Sequence, residues 1–156
     1  KHPSSGQLVA MFWTHDFVRA VDIDVHISWG SADARQWSPP QSTALPGQHC
    51  QPLAVGGDTL LAVYAHRRNP PGIALSISPD FGRSWDRSLD LKVYESLLGT
   101  ESGAEGARSQ DELWNDMELW RFGHPRASIL PNGEVFVVYY AGDDTIKNAC
   151  WARVRL

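Results

Sequence analysis

The residues Ser78-Pro79-Asp80-Phe81-Gly82-Arg83-Ser84-Trp85 decide how the rest of the chain reads. Asp80 can fold its carboxylate back onto backbone N–H groups and close a tight turn. Gly82 supplies the positive φ that such a turn needs. Ser78 offers a hydroxyl to tie the loop shut, and Trp85 a large ring to bury beneath it. Residues 72–77 ahead of the octet alternate apolar with small or polar side chains, and residues 88–94 behind it do the same. That is the period of half-buried strands, so the octet is expected to turn a hairpin.

Working outward, three stretches align with one another: Gly6–His15, Gly57–His66 and Gly133–Gly142. Each has a turn glycine, an almost wholly apolar run, an aromatic, a small residue, and then His or Gly. A strand apolar on both faces has to be buried on both. Behind the first stretch, residues 25–37 repeat the octet in decayed form. Set ungapped, Ser28 meets Ser76, Arg35 meets Arg83 and Trp37 meets Trp85, while Asp33 is displaced by one position and Ala34 replaces the glycine. The distance from Trp37 to Trp85 matches a four-stranded repeat of ~40–50 residues. Short segments containing His2, His49 and His124 precede the three apolar runs, and the third copy stops where its own octet would begin.

The spacing from His49 to His124 is longer than one repeat, which defines an insertion at residues 95–122. Its first part, Gly99–Gly106, is small and acidic and is expected to be a mobile loop. In its second part Ser109 to Glu112 matches a capping box, and Leu113, Met117 and Trp120 follow at helical spacing, predicting one short helix.

Composition narrows the class without naming it. A net charge of −4 with mixed signs over 156 residues gives no basis for nucleic-acid binding. No apolar run approaches the ~20 residues of a helical membrane span. Cys50 and Cys150 fall in different strands of different repeats and are expected to be free, buried thiols. No compact metal-ligand motif is present, so no metal and no cofactor are expected.

The octet, four of four fixed positions in S-x-D-x-G-x-x-W, resembles the Asp-box (BNR repeat) of sialidase-like β-propellers. The resemblance implies an all-β propeller of the sialidase type. This chain would supply three four-stranded blades, half of a six-bladed ring, at about 1–46, 47–94 and 123–156. Three blades cannot close a ring alone. The chain is therefore expected to be part of a larger propeller or to pair with a second copy of itself. The residues name no compartment; the resemblance points outside the cytoplasm.

In an up-and-down blade, parity assigns the faces. With the octet at the bottom, the top collects the starts of strand one (His2, His49, His124) and the ends of strand two (His15, His66). Asp16, Arg19, Arg67, Arg68, Asp143 and Asp144 lie in the loops that follow, and the insertion brings Glu118, Trp120 and Arg121. Sialidases grip a carboxylate with arginines and use a Tyr nucleophile with Glu and Asp. Here Gly123-His124-Pro125 places His124 where that family carries Tyr.

The expected catalytic candidates are His124, Arg121 and Glu118. The ligand-binding candidates are His49, His66, Arg67, Arg126, His15 and Asp16, and Ser78, Asp80, Gly82 and Trp85 are structural. The leading expectation is carbohydrate recognition on the top face, with a glycoside hydrolase of the exo-sialidase kind as its catalytic form. The second is a non-catalytic carbohydrate-binding or assembly module whose ring closes through a partner. Trp114 and Trp120 are expected to pack against the body rather than to stack on sugar. Loops are polar wherever they occur, so only a gathering of these side chains at one end speaks for a site.

Overall fold

The structure, a computed structural model, describes residues 1–19, 21–68, 70–96 and 120–156. Over those residues the chain is all-β, twelve strands in four antiparallel sheets. The first sheet orders β1 (Leu8–Phe12), β4 (His26–Gly30) and β5 (Gln41–Ser42). A ribbon of β2 (His15–Asp16) and β3 (Val21–Asp22) interrupts it. The second is a four-stranded meander of β6 (Cys50–Gly56), β7 (Thr59–His66), β8 (Gly72–Ser78) and β9 (Leu91–Glu95). The third runs β10 (Phe122–Ile129), β11 (Val135–Gly142) and β12 (Lys147–Val154).

The apolar runs explain this order. Leu60 to Ala65 of β7 are almost completely buried, because both faces of the middle sheet are covered. Leu61, Val63, Ala65, Ile73 and Leu75 pack against Val135, Val137, Ala141 and Phe122 of the third sheet. On the opposite face Leu60, Ala62, Tyr64 and Ala74 meet Val25, Ile27 and Met11 of the first. Full burial of one such aliphatic side chain stabilises by about 1.5–3 kcal/mol.

The octet forms the expected turn between β8 and β9. Asp80 Oδ1 accepts from the backbone N–H of Arg83 at 2.9 Å and of Ser84 at 2.8 Å, and its Oδ2 accepts from Ser84 Oγ at 2.6 Å. Ser78 Oγ donates to Asp80 Oδ1 at 2.8 Å and accepts from Gly82 N at 2.8 Å. Gly82 has φ 89°, and a Cβ there would lie 2.5 Å from Ile27 Cδ1. Only glycine fits on both counts. Trp85 Nε1 donates to Gly82 O at 3.2 Å.

The decayed copy folds similarly. Ser31 Oγ donates to Asp33 Oδ1 at 2.6 Å, Ala34 has φ 62°, and Trp37 Nε1 donates to Ala34 O at 3.0 Å. The counterpart of Ser78 is therefore Ser31, in a turn one residue shorter. An ungapped alignment could not see that.

Three expectations need correction. Among the described residues only the middle sheet has four strands. His2 forms no strand: its Nδ1 accepts from Ser4 N and Ser5 N in a turn, because a three-residue polar segment gains more from local bonding. His2 also sits at the octet end, where Nε2 donates to Asp58 Oδ1 at 2.7 Å and its ring meets Phe81 edge-on. The helix expected over residues 109–120 lies outside the described residues apart from Trp120. The one helical turn among the described residues is the 3₁₀ turn Arg87–Leu89. No described helix is long and apolar enough to cross a membrane.

Candidate functional site

Register places the strand ends. The turns at Gly56–Asp58 and Pro131–Gly133 lie at the octet end. His49, His66, His124, His15 and also His26 lie at the other, where Phe12 pairs with His26, His66 with Gly72 and Phe122 with Ala141. Five of the six histidines thus gather at one end, with His26 in place of His2.

At that end His49, His124 and Arg126 form one cluster. The two imidazole centroids are 5.1 Å apart, and Tyr140 lies 5.7 Å from His124. Arg126 Nη1 meets His49 Nε2. Guanidinium only donates, so Nε2 is the acceptor and the ring carries its proton on Nδ1. The Pro125 backbone, whose only hydrogen-bonding group is its carbonyl, holds the ring in place. Burial, then the Arg126 charge and His124, lower the His49 pKa to about 4, so the ring is neutral at pH 7.

A bulge produces this arrangement. The β10–β11 register shifts between Gly123 and Arg126, and His124 adopts φ 47° with its side chain exposed. A non-glycine residue in the left-handed region is strained, and bulges redirect side chains. Gly123 permits the close approach, since a Cβ there would lie 2.9 Å from the Tyr140 hydroxyl and 3.3 Å from Arg67 Nη2.

Beneath lies a buried polar chain. Arg67, 5% exposed, is sandwiched between the rings of Trp120 at 4.3 Å and Phe122 at 4.2 Å. Its Nη2 donates to Phe122 O at 2.8 Å and its Nε to Gln48 Oε1 at 3.1 Å. Gln48 Nε2 donates to Asp22 Oδ2 at 2.6 Å. Asp22 Oδ1 also accepts from Trp13 Nε1 at 2.9 Å and His15 Nδ1 at 2.8 Å. Asp22 and Gln48 carried no sequence signal: Gln48 meets Asp22 and Arg67 across 26 and 19 positions, and the contacts of Asp22 with Trp13 and His15 follow no helical or strand period.

No protein-family model, no curated protein and no solved structure matches this chain.

The other candidates have separate places. His66 donates from Nδ1 to Arg68 O at 3.2 Å and lines a groove of about 440 Å³ with Tyr64, Arg87, Asp90 and Lys92. Burial is the main reason its pKa is lowered. Arg121 is paired bidentately with Asp144 at 2.7 and 2.9 Å. Asp16 caps the ribbon turn through Val18 N and Arg19 N, and that bonding lowers its pKa despite partial desolvation. Arg67 was expected to meet ligand and instead is buried among protein groups. Glu118 and Trp114 lie outside the described residues. Cys50 and Cys150 are free; burial raises the Cys50 thiol, which lies 3.7 Å from Met11 Sδ, and Cys150 is half-buried. Among the described residues no three metal-ligating side chains converge.

Proposed function

We propose that this chain is part of a sialidase-like β-propeller, three blades of a six-bladed ring, that recognises carbohydrate at the strand ends around His124. One observation carries the reading. The bulge holds an exposed imidazole at φ 47°, beside a neutral His49 that fixes the Arg126 guanidinium. Sugars are recognised by directional bonds to hydroxyls and, in acidic sugars, by a guanidinium fork on the carboxylate. The Tyr140 ring adds an aromatic surface beside them. The octet turn supports the family assignment because its fixed residues make the bonds for which they were singled out.

Calorimetric titration with N-acetylneuraminic acid, sialosides and neutral glycosides tests the site. Binding by the wild-type chain, weakened at least tenfold in both His124→Ala and Arg126→Ala, is the expected result. Undiminished binding in both variants refutes it. Turnover of the same panel distinguishes a hydrolase from a binding module.

A second reading, ring closure through a partner, has its own support. On the outer face of the third sheet Val138 is 40% exposed and its cross-strand neighbour Trp151 is 64% exposed. Sedimentation equilibrium tests closure by a second copy: a mass of two chains is expected, and a monomer at micromolar concentration contradicts it.

A further inference from the structure

Among the described residues, one buried side-chain atom outside the His124 cluster lacks a hydrogen-bonding partner. His15 Nε2 is shielded from solvent and makes no hydrogen bond. The side chain is only 10% exposed. Buried polar atoms are paired in the great majority of cases, and each exception asks for an explanation.

The surroundings fix this ring firmly. The Asp22 carboxylate accepts from His15 Nδ1, Trp13 Nε1 and Gln48 Nε2, at 2.8, 2.9 and 2.6 Å. Indole N–H and side-chain amide NH₂ can only donate, so Asp22 is held as an acceptor and His15 Nδ1 carries a proton toward it. A carboxylate behind one ring nitrogen orients the other toward whatever it is to meet. Gln48 is anchored in turn by Arg67 Nε at 3.1 Å, so the orientation is backed by a buried chain of bonds. Among the described rings, Phe17 meets the His15 ring in a T-shaped contact, at a centroid distance of 4.7 Å. Phe17 sits at the ribbon tip and is 63% exposed, so it can move without disturbing a core.

We propose that His15 Nε2 is a second contact for the carbohydrate, bonding one of its hydroxyl groups once the neighbouring Phe17 ring swings aside. The hydroxyl is singled out by chemistry: it donates to a bare imidazole nitrogen and accepts from a protonated one, so it satisfies Nε2 in either state. A metal ion is a poor alternative, because the described residues offer no further ligands to complete a coordination shell. The inference rests on carbohydrate recognition at this end of the sheets and adds a particular atom to it.

The test uses the whole chain with ¹⁵N-labelled histidine rings and nitrogen-detected titration. The probes are N-acetylneuraminic acid, galactose and N-acetylglucosamine, with binding followed in parallel by calorimetry. The expected result is a change in the His15 Nε2 resonance that saturates with the calorimetric isotherm. His15→Phe should weaken binding about tenfold, and Phe17→Ala should leave it equal or tighter. Saturable sugar binding with the His15 Nε2 resonance unmoved overturns this contact and leaves the His124 reading standing. Absence of binding by every probe overturns both.

Discussion

Gln51 and Ala127 hold two sheets together as though they were neighbours in one ladder. The Gln51 side chain accepts from Ala127 N at 2.7 Å and donates to Ala127 O at 3.0 Å, so a side-chain amide satisfies both backbone groups of a residue in another sheet. Gln51→Ala should destabilise the chain by about 1–3 kcal/mol, because two backbone groups lose their partners in a half-buried seam. Urea denaturation checks this, and a loss below about 0.5 kcal/mol would show that water replaces the amide.

The bulge at His124 leads to opposite expectations for stability and binding. His124→Gly relieves a left-handed residue and should stabilise by about 1 kcal/mol while removing the exposed imidazole. The measurement is urea stability beside glycan titration on the same sample. Stability and affinity falling together would mean that the ring supports the fold rather than a ligand.

His49 sets a pH dependence near neutrality. An imidazole free in the unfolded chain protonates near 6.5, whereas burial, Arg126 and His124 hold folded His49 at about 4. Between those values the unfolded chain binds more protons, so stability is complete above pH 6.5 and declines as the pH falls toward 4. His49→Gln should flatten that limb of a stability-against-pH curve, and an unchanged slope would sink the assignment.

Glu134 acts at lower pH. Hydrogen bonds from Arg155, Asn132 and Arg153 lower its carboxyl to about 2, from an ordinary value of 4.5. A depressed carboxylate contributes stability above its unfolded pKa and loses it as the pH drops through the folded one. The β11–β12 pairing should therefore weaken between about pH 4.5 and 2. Glu134→Gln should remove that acid sensitivity, as hydrogen exchange at Val135 and Val154 would show.

How far all this was legible from residues follows from the reach of each interaction. The octet read correctly because its bonds span at most a few residues, so the chemistry of Ser78, Asp80 and Gly82 was already present in their spacing. The three apolar runs became β1, β7 and β11, but only β7 is buried on both faces: no residue of β1 is fully buried and β11 leaves Val138 exposed, so apolar composition marked the strands and not their coverage. The place of His2 was misread because its partner Asp58 lies 56 positions away. The contact of Arg126 with His49 spans 77 positions and the anchoring of Arg67 on Phe122 spans 55, distances over which spacing carries no signal. The ribbon β2–β3 is two residues per strand and too short to show a period.

The two sides of the middle sheet carry unlike cores, one built on Leu61, Val63 and Leu75, the other on Leu60, Ala62 and Tyr64. Such a layer has a polarity, like one in a row of nested cups. The first and third sheets could not change places across it, since each would meet relief shaped for the other. Which neighbour lies on which side is thus written into alternate residues of a single strand.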